Sequence, residues 1–148
     1  MIVRTLALWL VVLSGLLLST ARAERAVVLV TGESCPMESL SMLDVRKAFL
    51  GWNVRFEGHV VHALRLNTDN ELKQIFLQSV VAMSERTYER RLASQALKYG
   101  TPRPREYGTV EQLAAEIARS DCAIGYMWRE DAEAIPAIKS IRVLWQSD

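Results

Sequence analysis

Four short apolar runs, with helical periodicity between most of them, constrain what this chain can fold into. Residues 26–31 (AVVLVT) are β-branched and closed by Gly32, so they read as a buried strand. Residues 60–66 form a second run, ended by Asn67 and Thr68. Residues 123–128 (AIGYMW) form a third, and residues 138–145 a fourth, after a turn ended by Pro136. Between the first two, Ser41 is placed to cap a helix with Asp44 three residues on, Met42, Val45 and Phe49 recur at helical spacing, and Gly51 stops it. Thr68 and Glu71 fit a capping box ahead of Leu72, Ile75, Phe76 and Val80. Ser84 restarts a helix that turns Tyr88, Leu92, Ala96 and Tyr99 inward. Thr109 and Gln112 cap another, with Val110, Leu113, Ala114 and Ile117 on one face. Residues 100–108 (GTPRPREYG), with two prolines and two glycines, read as a loop that excludes regular structure. The order is strand, helix, strand, three helices, strand, strand. It predicts an α/β fold with a mixed, mostly parallel sheet flanked by helices.

The first 23 residues predict where that domain works. A short basic start, an apolar run over residues 6–18 and the exit Ala21-Arg22-Ala23 match a cleaved secretory signal. The run is too short to span a bilayer, which takes roughly 20 apolar residues. The expected division is a leader over residues 1–23 and one domain over residues 24–148, soluble and periplasmic. Losing Arg4 and Arg22 leaves 16 basic against 17 acidic residues. That balance argues against nucleic acid as a partner. Cys35 and Cys122 both lie in the exported part, where an even pair is a disulfide candidate; two separate buried thiols are the alternative.

Residues 43–51 (LDVRKAFLG), 99–104 (YGTPRP) and 123–126 (AIGY) resemble, in order and spacing, the phosphate-type substrate-binding proteins of ABC importers, of the type 2 periplasmic binding protein fold. The resemblance implies a single periplasmic-binding-protein-like lobe, non-enzymatic and without a cofactor, serving transport or signalling. It implies an oxyanion such as phosphate as ligand, with Arg65, Asn67, Thr68 and Asn70 as the candidate binding residues. Members of that family bind solute between two lobes, and this chain has room for one. Where they place a glycine-containing loop before the phosphate-binding helix, this chain has Asn67-Thr68-Asp69-Asn70-Glu71. Asp69 and Glu71 fall in the first turn, satisfy the helix dipole themselves and repel an anion. A second function is therefore weighed: a module that docks on an envelope partner such as a sensor kinase, a cyclase or a transporter component.

Other candidate chemistry is sparse. His59 and His62, if on one strand, point to opposite faces and cannot chelate together; zinc would need at least three of His59, His62, Cys35 and Cys122, at no recognised spacing. Ser34 and Cys35, in Gly32-Glu33-Ser34-Cys35-Pro36, lack the second glycine of a nucleophile elbow and read as a turn with half of a disulfide. Arg86, Arg90, Arg91 and Lys98 form a basic helix surface, read as a solvated face with Glu85 and Glu89 interspersed, and otherwise as a docking face. Trp128 and Trp145 are expected at strand ends, and Trp52 as an exposed aromatic suited to an interface.

Overall fold

The computed structural model describes residues 24–148; the expected leader lies outside the described residues. The first apolar run forms β1 (Ala26–Gly32), buried over its whole length. The second breaks in two: β3 (His59–Val60) closes a hairpin with β2 (Arg55–Phe56), and β4 (His62–Leu66) joins the main sheet. The hairpin tip needs positive φ at two successive residues, Glu57 (46°) and Gly58 (85°). His59 and His62 thus lie on different strands, a correction to the single run read from sequence.

The remaining strands are β5 (Arg105–Tyr107), β6 (Ala123–Trp128) and β7 (Ile138–Gln146). They complete a five-stranded sheet in the order β5-β4-β6-β1-β7. β4 is parallel to β5 and β6, whereas β1 is antiparallel to β6 and β7. Strand β1 alone runs against the rest, so the sheet is mixed and mostly parallel in strand direction. Strand β5 corrects the reading of residues 100–108 as irregular throughout. Pro104 sits just before the first paired residue, and β5 is an edge strand needing a partner on one side only, so the missing N–H is tolerated.

Helices α1 (Met42–Phe49), α2 (Asn70–Ile75), α3 (Glu85–Tyr99) and α4 (Val110–Arg119) begin at Ser41, Asp69, Ser84 and Thr109, whose side chains each accept a backbone N–H. Asp69, not Thr68, caps α2, one residue later than the capping box suggested; aspartate brings a full charge to the exposed amides. A π-helical segment (Phe76–Val81) continues α2 and ends at Ala82 in the left-handed region. Helix α5 (Arg129–Glu133), unforeseen in the sequence, fills the connection after β6. Tyr99 ends α3 exposed rather than inward.

Helix α4 packs on β6 at Gly125, where an added Cβ would lie 2.8 Å from Ile117 Cδ1 and 3.2 Å from Leu113 Cδ2. Below α1 and α2, Phe76 stacks on Tyr126 with centroids 4.3 Å apart, and Phe49 meets Phe76 edge-on at 5.2 Å. Tyr126 Oη donates to Leu66 O at 3.0 Å and Tyr88 Oη to Phe49 O at 2.6 Å. Burial raises both phenols well above the usual range. Cys35 and Cys122 are disulfide-bonded, with Cα atoms 5.2 Å apart and a sequence separation of 87. Among the described residues no helix is long and apolar enough to cross a membrane.

Candidate functional site

The parallel strands end together, and in open α/β sheets ligands gather beyond such carboxyl ends. Here that edge is built by Leu66–Asn70 after β4, Glu106 and Tyr107 on β5, and Trp128 at the end of β6. Arg25 enters from the start of β1, which runs the opposite way. Its guanidinium lies 3.8 Å from the centroid of the Trp128 ring and 2.8 Å from Glu71 Oε2.

The edge carries its own anion. Asp69 Oδ1 accepts from the Leu72 amide at 2.6 Å, and Oδ2 from Trp128 Nε1 at 3.0 Å. Burial by itself would raise the Asp69 carboxyl, but these two donors, Thr68 and Arg25 outweigh it and hold the group below its ordinary value. Asp131, in the first turn of α5, shows the opposite shift. Burial raises it first, and the charges of Glu130, Glu111 and Asp69 raise it further. The carboxyl edge is therefore electronegative, and its helix N-terminus is filled.

The four residues expected to hold an oxyanion are not brought together as free donors. Arg65 is largely buried; its Nη1 lies 2.6 Å from Glu89 and 3.8 Å from Glu106, its Nε donates to Pro104 O at 3.2 Å, and its guanidinium faces the Tyr88 ring. Burial would lower its pKa, but the bond to Glu89 together with the charges of Tyr88, Glu89 and Glu106 outweighs that and the pKa is raised. Asn67 Nδ2 donates to Glu106 Oε1 at 3.2 Å, and Thr68 Oγ1 points to Asp69 Oδ2 at 3.5 Å. Asn70 is exposed at the start of α2. The cavity beside Arg65, Asn67, Lys73 and Tyr126 measures about 20 Å³, room for one water.

A second surface lies on α3. The expected Glu–Arg spacing along that helix does not form pairs: Glu85 is bonded to Lys73, and Glu89 to Arg65 and Arg103. Both acids are drawn toward neighbouring elements, which are held in place and pair at lower entropic cost than flexible surface arginines. Among the described residues, Arg86, Arg90, Arg91 and Lys98 consequently form no ion pair. Leu97, one heptad after Arg90 on the same face, is 88% exposed; at the C-terminal end of α3, on the side of Leu92, Tyr99 is 63% exposed and Trp52 51%, their rings 6.3 Å apart. Trp52 was legible in the sequence as exposed; the unpaired state of the cations was not, because it depends on what Glu85 and Glu89 find across the fold.

No protein-family model and no curated protein matches this chain. Solved structures do. An ABC-type phosphate transport receptor from Vibrio cholerae superposes with a TM-score of 0.59 at 8% identity, over 80% of this chain and 46% of the receptor. A putative phosphate ABC transporter substrate-binding protein with bound phosphate, from Clostridium perfringens, gives 0.60 at 10% identity, over 80% and 45%. A possible phosphate binding protein from Planctomyces limnophilus gives 0.55 at 14% identity, over 80% and 41%. The chain thus shares the fold of phosphate-type substrate-binding proteins and spans less than half the length of each.

Proposed function

We propose that this chain is a non-enzymatic, exported, binding-protein-like lobe that docks on an acidic envelope protein and does not capture a free oxyanion by itself. Residues 1–23 serve as the export leader, and the disulfide fits an oxidising compartment. The observation that carries the docking reading is α3: four unpaired cations and exposed Leu97 along the helix, and the exposed Trp52–Tyr99 pair at its C-terminal end. Tryptophan, tyrosine and arginine dominate the energetics of protein interfaces, and unpaired cations steer an acidic partner. A sensor kinase ectodomain, a cyclase or a transporter component of matching charge is the class of partner.

Solute binding or sensing is the second reading, favoured by the likeness to phosphate receptors and by the position of Arg65, Asn67, Thr68 and Asn70 at the carboxyl edge. The charge at that edge weighs against it. A phosphate about 4 Å from the Asp69 carboxylate would meet a repulsion on the order of 4 kcal/mol per unit charge at a surface-like dielectric. Thermal melts with and without millimolar phosphate separate the two. Ligand at 100 times its Kd would stabilise by about 2.7 kcal/mol. The docking reading expects no shift; a rise in Tm with phosphate returns the function to solute capture. The positive test is capture from an envelope extract, saturable with wild type and lost with both Arg90→Glu/Arg91→Glu and Trp52→Ala. Capture insensitive to these changes overturns the docking face.

A further inference from the structure

A second cluster sits away from the carboxyl edge, around the disulfide. The β2–β3 hairpin delivers His59, and the turn between α4 and β6 delivers Asp121 and Cys122, the latter at φ 51°. His59 Nδ1 and Asp121 Oδ2 are 2.8 Å apart, and ligand atoms of His59, Asp121 and Cys122 all lie within 4.8 Å of one another. Cys35 arrives from the turn after β1, where its amide bonds to Gly32 O. Two of these stretches bring one imidazole, one carboxylate and one sulfur together, and the disulfide ties the second sulfur, from the third stretch, to that group. Sequence spacing hid this grouping, since positions 35, 59, 121 and 122 follow no metal-ligand pattern.

We propose that before its disulfide closes, the chain holds one zinc ion on Cys35, Cys122, His59 and Asp121. Cysteines enter a chain as thiols, so the dithiol state precedes the bond. Two thiolates with an imidazole and a carboxylate form a four-coordinate set suited to Zn²⁺. Tetrahedral bonds of about 2.0–2.3 Å put neighbouring ligand atoms roughly 3.3–3.8 Å apart, so His59, Asp121 and Cys122 close in from within 4.8 Å while the Cys35 sulfur, released from Cys122, swings round to the fourth position. Binding displaces one proton from each thiol. His59 and Asp121 are both solvent-accessible and open the entry path, while the sulfurs lie behind them in the core. Closure of the disulfide then ends the site. A partner disulfide accepts the two electrons of the two thiolates and two protons, leaving as a dithiol, as the Cys35–Cys122 bond forms and Zn²⁺ departs. The ion keeps the two thiols paired with each other until oxidation, against mispairing with other chains.

The test uses the purified protein reduced by a phosphine without oxygen, with zinc alone as probe. Reduced protein is expected to take up one equivalent and the oxidised form none, read against a chromophoric chelator. Cobalt(II) in place of zinc should show a thiolate-to-metal charge-transfer band. His59→Ala and Asp121→Ala should each weaken uptake by about tenfold or more. If the reduced chain loses structure without metal, zinc should restore its circular dichroism, and the His59→Ala variant should need far more of it. Cys35→Ser, which leaves three ligands and cannot form the bond, should bind weakly yet show the cobalt band. No uptake by the reduced chain, or uptake unaffected by His59→Ala and Asp121→Ala, overturns the proposal.

Discussion

Asp69 shows how one side chain can decide what an edge binds. It caps α2 and accepts the Trp128 indole, so Asp69→Ala should cost about 1 kcal/mol for the cap and a similar amount for the stranded indole donor. Asp69→Asn keeps the cap and removes the charge. Since the folded carboxyl titrates below its unfolded value of 3.8, its stabilisation is fully present above that pH and is lost as pH falls through the lower, folded value. Denaturant melts of wild type and Asp69→Asn should therefore differ by a constant amount from neutral pH to about pH 5, and converge in stronger acid. Gly125 decides how closely a helix can approach. Gly125→Ala pushes a methyl against Ile117 and Leu113 and should destabilise by about 1–3 kcal/mol, read as a lower urea midpoint at unchanged slope. The run AIGY shows the glycine, but not that α4 is what lies over it.

At the scale of elements, α3 is the informative one. Arg90→Glu combined with Arg91→Glu should leave the unfolding free energy within about 0.5 kcal/mol of wild type in denaturant melts, because both side chains are exposed and unpaired. Partner capture should fall, and capture by wild type should weaken as salt rises. Strong local signals were legible. The buried β1 and β6, the caps at Ser41, Ser84 and Thr109, and the amphipathic α4 all follow from residues adjacent in sequence. Elements fixed by distant partners were not. Strand β5 exists because β4 offers it an edge, and α5 closes the gap before β7; its Arg, Glu and Ala residues favour a helix, but five residues are too few to show a period. The candidate site was half legible for the same reason. Asp69 and Glu71 were visible as a negative first turn, but the pairing of Arg65 with Glu89 spans 24 positions and depends on the packing of α3.

For the whole molecule, the bond between Cys35 and Cys122 ties the turn after β1 to the start of β6. Constraining 87 positions of unfolded chain contributes about 4–5 kcal/mol on the chain-entropy account. Cys35→Ser should lower stability by up to that amount in denaturant melts, and a reductant should do the same to wild type but not to the variant. The contrary strand β1 supplies the other long-range tie, since its neighbours β6 and β7 come from the far end of the sequence. Its register leaves Arg25 and Ser147 exchanging hydrogen bonds, Ser147 N to Arg25 O at 2.8 Å and Arg25 N to Ser147 Oγ at 2.9 Å. A short flexible bridge could join those two positions, and the exposed hairpin tip at Glu57 and Gly58 could be opened in exchange. Such a circular permutant would keep the pairing of all five strands, and the same geometry suits the unit to insertion within a surface loop of a host protein.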